Sequence, residues 1–467
     1  MPTKNALLID FGSTYTKLRA VDVDGRRIIG SGQGPSTVTN DVTVGFREAL
    51  ADLDRRIGKL PPFQYRLASS SAAGGLRMVT VGLVPDLTAE AARRAALGAG
   101  ARLVGTFSYH LTDEDVESIR DLKPDIVLLA GGTDGGNRDV IVGNAAALGR
   151  ADLVCPVVLA GNRSAVDASR KQLAGIEVIV TDNVMPEYNV LNIEPARQVL
   201  RQVFIDRVVH AKGIDRAQAL FDAVLMPTPA AVMEGARLLA DGVGVERPGL
   251  SGLLVVDPGG ATTDVHSVWD GSPAEGIILR GLPEPRVKRT VEGDLGMRHN
   301  AQAIAEAAGI EVIARDAGLS VEVARERIDS LAREVERLPG DADEYLLDRA
   351  LARSAVRLAA ERHAGHLETV YTAHGPATVQ IGKDLTRIET VIGTGGVLAH
   401  SGGASSILEA VVADPAEPLS LLPRQPRLLL DRDYMLYACG LLASVEPEAA
   451  YDLAVNNLCS VDHGDKS

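Results

Sequence analysis

The run Val255-Val256-Asp257-Pro258-Gly259-Gly260-Ala261-Thr262-Thr263-Asp264-Val265 holds the residue types that a phosphate chain with a metal requires. Glycine lets backbone N–H groups approach phosphate oxygens with no side chain in the way. Threonine hydroxyls add donors, and the carboxylates of Asp257 and Asp264 can hold Mg2+ directly or through its waters. For this stretch alone a plain β-hairpin is the alternative, because Gly-Gly and Thr-rich turns are common there. Similar turns recur. Asp10-Phe11-Gly12-Ser13-Thr14-Tyr15-Thr16-Lys17 follows the apolar run Ala6 to Ile9, Gly131-Gly132-Thr133-Asp134-Gly135-Gly136-Asn137 follows Asp125 to Ala130, and Gly393-Thr394-Gly395-Gly396 follows Thr390 to Ile392.

Such turns need strands to present them. Leu18 to Val23 alternates like a strand, Asp24-Gly25 signals a hairpin and Arg27 to Gly30 reads as its return, so the chain opens with an antiparallel meander. The Asp257 turn starts a second meander through Asp264 to Trp269 and Gly276 to Leu279. Between them, short apolar runs alternate with helical spacing: Met78 to Val84, Asp125 to Ala130, Val157 to Ala160 and Glu177 to Val180, with helices near Thr88 to Gly98, Asp113 to Leu122 and Ala165 to Ala174. That alternation predicts a parallel or mixed α/β sheet with ligand loops at the carboxyl ends of its strands. Helices are expected over Glu194 to Ala211, Ala230 to Ala240, Ala301 to Gly309, Val321 to Leu338 and Asp343 to Leu367, with Gly242 to Gly252 as a linker.

At 467 residues the chain is long enough for two or more domains. Its 48 basic against 62 acidic residues give a formal charge of −14, which argues against non-specific nucleic-acid binding and against docking on an anionic membrane. The three widely spaced cysteines suggest neither a zinc site nor a disulfide framework, so a reducing, cytoplasmic compartment is expected. The first residues lack the apolar core of a signal peptide, and no apolar run reaches transmembrane length.

Asp10-x-Gly12-Ser13-Thr14, Asp257-x-Gly259-Gly260-x-Thr262-Thr263-Asp264 and Gly393-Thr394-Gly395-Gly396, in that order, resemble the motifs of the actin, sugar-kinase and heat-shock-chaperone ATPase superfamily. Within it, Leu8 to Lys17, Leu129 to Asn137, Asp257 to Asp264 and Glu292-Gly293-Asp294-Leu295-Gly296-Met297-Arg298 are more closely similar to the MutL-type accessory proteins of glutamate mutase (the GlmL family), which are unrelated to the mismatch-repair protein. The resemblance implies an α/β fold of two actin-like (ribonuclease H-like) domains with mixed sheets and helices on both faces, flanking a nucleotide cleft. Residues 1–245 would carry the first phosphate hairpin and the Gly131 loop, and residues 246–467 the second hairpin and the adenosine-site turn. It implies ATP and Mg2+ as ligands and, as partners, the subunits of a cobalamin-dependent mutase or aminomutase that the protein reactivates or matures. A homo-oligomer is left open.

Carried over residue by residue, the resemblance gives Asp10 and Asp257 as anchors of Mg2+, largely through water, and Asp264 as a second aid to the metal or to the attacking water. The backbone around Gly12, Ser13 and Thr14, and around Gly259, Gly260, Thr262 and Thr263, would cradle phosphates. Gly393, Thr394, Gly395 and Gly396 would let the chain pass close to base and ribose. Lys17 is either a phosphate contact or a surface lysine. Gly131, Gly132, Thr133 and Asp134 are either a turn contacting phosphate or a tight βα turn with structural glycines, and Glu292 to Gly296 is either a cleft-facing connection or a helix start. Asp264-Val265-His266 resembles the start of a cobalt-ligating motif, but Trp269 stands where that motif has glycine, so His266 reads as an ordinary strand residue. His363 and His366 read as a solvated helix face. Two other functions use the same motifs: a small-molecule kinase, for which Asp134 is the candidate base, and a non-catalytic nucleotide-binding scaffold.

Overall fold

The computed structural model describes residues 3–12, 15–35, 42–70, 77–211, 222–335, 337, 339–373, 375–400 and 403–461. Ser13 and Thr14, expected phosphate contacts, lie outside the described residues. Contacts divide the chain into two units. The first is Met1–Glu234 with Gly281–Pro283 and Gly440–Ala449; the second is Gly235–Arg280, Glu284–Cys439 and Ala450–Ser467.

The strands of the first unit are β1 (Asn5–Phe11), β2 (Tyr15–Asp22), β3 (Arg27–Pro35), β4 (Tyr65–Ser70), β5 (Arg77–Gly82), β6 (Arg102–Ser108), β7 (Ile126–Leu129), β8 (Val157–Leu159), β9 (Val178–Val180) and β10 (Ala223–Pro227). One sheet runs β10-β4-β1-β2-β3. Its β1, β2 and β3 are the expected antiparallel meander, and β4 and β10 add in parallel. Strand β1 is buried along its whole length, as the unbroken apolar run Ala6 to Ile9 demands of a central strand, whereas β2 alternates buried Thr16, Leu18 and Ala20 with half-buried Lys17 and Arg19. Leu7, Ile9 and Phe11 pack with Phe46 and Leu53 of the helix Val42–Ile57 and with Ala91, Ala92, Ala95 and Ala96 of the helix Glu90–Gly98. The second sheet, inserted between β4 and β10, is wholly parallel in the order β6-β5-β7-β8-β9, with the three expected helices and a further one, Asp139–Gly149, between its strands.

The second unit carries β11 (Leu253–Pro258), β12 (Thr263–Val268), β13 (Ile278–Arg280), β14 (Val287–Glu292), β15 (Gly365–Thr372), β16 (Gly375–Gly382), β17 (Thr390–Gly393), β18 (Arg427–Asp431) and β19 (Leu458–Ser460). Its main sheet runs β14-β12-β11-β17-β18-β19. The three antiparallel strands β14, β12 and β11, followed by parallel β17 and β18, reproduce the order and senses of β3-β2-β1-β4-β10. The fold class is therefore the one expected, α/β with two units built on mixed sheets, and the echo between the two hairpins extends to whole sheets. One face of this sheet, through Leu254, Val256 and Val265, packs on Leu351, Ala355, Val356 and Ala359 of the helix Ala342–His363.

Two expectations need correction. The return strand of the second meander is β14, whereas Ile278–Arg280 pairs with β16 in a separate sheet of order β13-β16-β15. Lys288 and Arg289 give β14 the look of a polar connection, yet both are buried because each finds a carboxylate, Glu284 and Asp264. The long helix ends at His363, and Gly365–Thr372 is strand β15.

Candidate functional site

The two hairpin turns share one construction. In the first, the N–H of Gly12 donates to the carbonyl of Tyr15 at 3.1 Å; in the second, the N–H of Gly259 donates to the carbonyl of Thr262 at 2.8 Å. Both positions demand glycine, since a Cβ at Gly12 would lie 2.5 Å from the Tyr15 oxygen and one at Gly259 would lie 2.9 Å from the Thr262 oxygen. In each, an aspartate stands next to last in the incoming strand, and its cross-strand partner sits at an equivalent position: Lys17 opposite Asp10, Asp264 opposite Asp257.

Asp10 is buried and accepts the Thr228 hydroxyl at 2.6 Å; the same hydroxyl lies 3.2 Å from Ser69 Oγ. Burial pushes the Asp10 carboxyl above its ordinary range, while Lys17 and the Thr228 hydrogen bond pull the other way. Lys17 is half-buried on β2 opposite Asp10. The sequence signal for Thr228 is Thr228-Pro229 at a helix start, a hydroxyl followed by proline, and the helix Thr228–Asp241 begins there.

In the second hairpin Asp257 is half-buried. Asp264 Oδ1 accepts two N–H groups of Arg289, from Nε at 2.9 Å and from Nη2 at 2.6 Å, and its Oδ2 accepts the Thr262 hydroxyl at 3.0 Å. Arg289, buried on β14, carries no local sequence signal of this role. The segment Glu292 to Asn300 braces this turn. Met297 N–H donates to Gly259 O, the Arg298 and His299 N–H groups donate to Gly260 O, and the buried Thr263 hydroxyl donates to Leu295 O. The Arg298 guanidinium is held by Asp348 at 2.9 and 2.5 Å. The Glu292 to Arg298 motif is thus a clamp on the turn that also leads into the helix Ala301–Ala308.

The turn after β17 comes to the same place. Thr394 N–H donates to Val256 O, and its buried hydroxyl donates to Asp431 at 2.9 Å. Gly395 has a φ of +98°, and a Cβ there would lie 2.2 Å from Asp257 Oδ1. Gly393 pairs with Val256, and Gly396 opens the helix Gly396–His400 with nothing within 4 Å of a Cβ. The second unit therefore brings Asp257, Asp264, Gly259, Gly260, Thr262, Thr263 and Gly393 to Gly396 together.

The Gly131 turn sits at the carboxyl end of β7, and its polar groups are engaged locally. Asp134 Oδ1 accepts the Arg163 N–H and the Asn183 amide, both at 3.0 Å. Asn162, after β8, accepts the Gly135 N–H and donates to Gly136 O and Asn137 O, while Asn183, after β9, donates to Gly132 O. These contacts give the turn a structural rationale and leave Thr133 half-buried beside exposed Gly135 and Gly136.

His266 is buried on β12, and burial with the nearby Arg289 pushes its pKa down to about 3, so the ring is neutral and enclosed, as suits a strand residue. His363 is not solvated as expected: it is fully buried, 2.9 Å from Thr290 Oγ1 and 2.8 Å from Ser267 Oγ, because Lys288 and Lys383 form a polar layer around it. No group of three or more potential metal ligands occurs among the described residues. Mg2+ takes one or two carboxylates together with substrate phosphates, and the facing carboxylates of Asp257 and Asp264 fit that donor set. No helix among the described residues is long and apolar enough to cross a membrane.

The family model described as MutL protein matches residues 6–458. "Protein MutL" of Clostridium tetanomorphum is 46% identical over 462 residues, covering 97% of this chain and 99% of the relative. Among solved structures, the nucleotide-free acetone carboxylase aligns with 95% of this chain and 70% of its own at 16% identity and a TM-score of 0.39. Xylulose kinase from Bifidobacterium adolescentis aligns with 97% of this chain and 94% of its own at 10% identity and a TM-score of 0.33.

Proposed function

The chain belongs to the MutL protein family, the glutamate mutase family of that name and not the mismatch-repair one, and on that premise we propose that it is an ATP-binding, ATP-hydrolysing accessory protein that reactivates or matures an adenosylcobalamin-dependent mutase or aminomutase. In this reading the β11–β12 turn of the second unit cradles phosphate, with Gly393 to Gly396 for the base and ribose, while the β1–β2 turn and Gly131 to Asp134 are the phosphate turns of the first unit. The observation that carries this reading is the repeated turn, in which an aspartate precedes a glycine whose N–H closes the loop on a carbonyl. Such a turn leaves short, side-chain-free backbone for phosphate oxygens.

Mg2+ is held at Asp257, with Asp264 beside it, and Asp10 is the corresponding carboxylate of the first hairpin. When bound with the nucleotide, the cation neutralises phosphate charge. The chain itself supplies position: the Glu292 to Asn300 clamp fixes the Gly259 turn, Gly395 keeps the Asp257 carboxylate in place, and Lys17 offers positive charge at the first turn. Phosphoryl transfer to water needs mostly positioning and charge neutralisation of this kind. Work on the client follows from a nucleotide-dependent change of conformation. The setting is cytoplasmic, and the partners are protein subunits. Asp134 serves a kinase reading poorly, because its Oδ1 already accepts two N–H groups.

Calorimetric titration of ATP in Mg2+ tests the first step: wild type binds, and Asp10→Ala and Asp257→Ala lose binding or hydrolysis. Unchanged affinity and turnover in both variants would overturn the site. For the client, ATP turnover and mutase activity are measured after adding the protein to an inactivated cobalamin mutase. No restoration of activity with protein and ATP together would overturn that role.

A further inference from the structure

The sheet β6-β5-β7-β8-β9 has a topology of its own. Counted from its first strand the order is 2-1-3-4-5, all parallel, which is one of the two common doubly wound arrangements. Alternate side chains divide its helices between two faces. Met78 and Leu128 share a core with Ala92 of the helix Glu90–Gly98 and Leu200 of the helix Glu194–Ala211. Val79 and Leu129 share another with Ile119 of Asp113–Asp121 and Ile141 of Asp139–Gly149. The helices that follow β5 and β7 therefore lie on opposite faces, so the chain leaves these two neighbouring strands in opposite directions. That parting is the switch point, outside the carboxyl ends of the strands, at which doubly wound sheets bind their ligands.

The two strand ends differ in what they offer there. After β5, the N–H groups of Leu83 and Val84 both donate to the buried Thr88 hydroxyl, at 2.7 and 3.1 Å. After β7, Gly131 and Gly132 are buried, yet their N–H groups and that of Thr133 donate to no acceptor among the described residues. The hydroxyl of half-buried Thr133 makes no hydrogen bond there either. More than about nine in ten buried backbone N–H groups are paired, so successive open donors on buried glycines call for an acceptor from outside the chain. The turn that carries them is fixed. Asn162 and Asn183, 1% and 4% exposed, reach it from the ends of β8 and β9 and hold the carbonyls of Gly136, Asn137 and Gly132.

We infer that the carboxyl end of β7 is a phosphate site in its own right: a phosphorylated small molecule enters the switch point between β5 and β7, and its phosphate oxygens accept the N–H groups of Gly131, Gly132 and Thr133 and the Thr133 hydroxyl. The inference rests on the reading of Gly131 to Asp134 as a phosphate turn, and it gives that turn a ligand of its own because the turn stands on a different sheet from either hairpin. The three terminal oxygens of a phosphate match such a donor set better than the two of a carboxylate, and successive backbone N–H groups of this kind form anion-binding concavities. The acids of the turn are already balanced. Asp134 Oδ1 accepts the Arg163 N–H and the Asn183 amide, its Oδ2 lies 4.0 Å from Arg163 Nε, and exposed Asp139 follows exposed Arg138.

Inorganic phosphate, the probe, is titrated into the full chain by calorimetry, with and without a saturating Mg2+ complex of a non-hydrolysable ATP analogue. Wild type binds phosphate in both conditions. Thr133→Val removes one donor to a charged acceptor and no described hydrogen bond, so phosphate binds about tenfold more weakly while the analogue binds as in wild type. Thr133→Ser, which keeps the hydroxyl, restores phosphate binding. Absence of phosphate binding by wild type, or equal phosphate affinity in wild type and Thr133→Val, overturns the site. Displacement of phosphate by the analogue, with the analogue itself weakened in Thr133→Val, assigns the turn to the nucleotide and overturns a ligand of its own. If the analogue does not bind at all, the nucleotide reading fails, whereas the phosphate titration still judges this turn.

Discussion

Gly395→Ala should damage both stability and nucleotide handling, while Gly396→Ala, its neighbour, should leave stability unchanged. At Gly395 the backbone has a φ of +98°, where an L side chain is strained by about 1–2 kcal/mol. The added methyl carbon would also stand 2.2 Å from Asp257 Oδ1, so the carboxylate must retreat by about 1 Å. Turning a side chain about 30° off its rotamer costs roughly 0.5–1.5 kcal/mol. Together these come to roughly 2–3 kcal/mol, or a fall in melting temperature of about 5–10 °C for a unit of this size. A displacement of about 1 Å in a positioned group is also enough to cost about 100-fold in turnover. At Gly396 a Cβ meets nothing within 4 Å, so Ala there stays within about 0.5 kcal/mol of wild type. If the nucleotide passes over this turn, Gly396→Ala weakens ATP binding without moving the melting temperature. Calorimetric melting and ATP titration of both variants give the answer. Equal melting temperatures and equal ATP affinities for Gly395→Ala and wild type would refute the placing of Asp257 by the glycine turn.

Asp10→Asn should stabilise the protein near neutral pH while removing Mg-ATP binding. The folded-state pKa of Asp10 is raised, so its favourable contribution is fully present below the unfolded pKa and is lost as pH rises through the folded value. The advantage of the asparagine variant in thermal melts should therefore grow with pH across that window and vanish at acid pH; a constant difference from acid to neutral pH would contradict it. Arg298→Ala should cost about 3–5 kcal/mol in chemical denaturation, because it strands buried Asp348. The double variant Arg298→Met with Asp348→Leu should recover most of that loss, since it removes both charges together.

Much of the framework was legible because it rests on local pattern. Ala6 to Ile9 and Leu253 to Val256 could only be buried strands, and each leads into an aspartate and a glycine turn. Three of the four helices between strands of the parallel sheet announced themselves by periodicity and by first-turn acids, as in Asp113–Asp121, whose capping box joins Thr112 and Asp115, whereas Asp139–Gly149 was not foreseen. Strand β14 escaped because Lys288 and Arg289 look solvated until their partners are known. His363 escaped for the same reason: helical spacing near charged residues implies a wet face, and only the folded chain brings Thr290 and Ser267 to its ring.

The candidate site was legible at its glycines and aspartates and blank at the groups that hold them. Thr228 meets Asp10 from 218 positions away, and Arg289 reaches Asp264 from a neighbouring strand. A short motif records what must approach a ligand, since backbone access and charge demand particular residue types at fixed spacing. The groups that support it are under a weaker demand, for any donor on any adjacent element satisfies a buried carboxylate. The two hairpins make the point within one chain. Asp10 and Asp257 occupy the same position of the same turn, yet one is steadied by a hydroxyl and a facing lysine, and the other lies beside a carboxylate neutralised from the next strand. Equal motifs thus give unequal electrostatics, because each carboxylate takes its charge balance from whichever strand or helix the fold lays against its own hairpin.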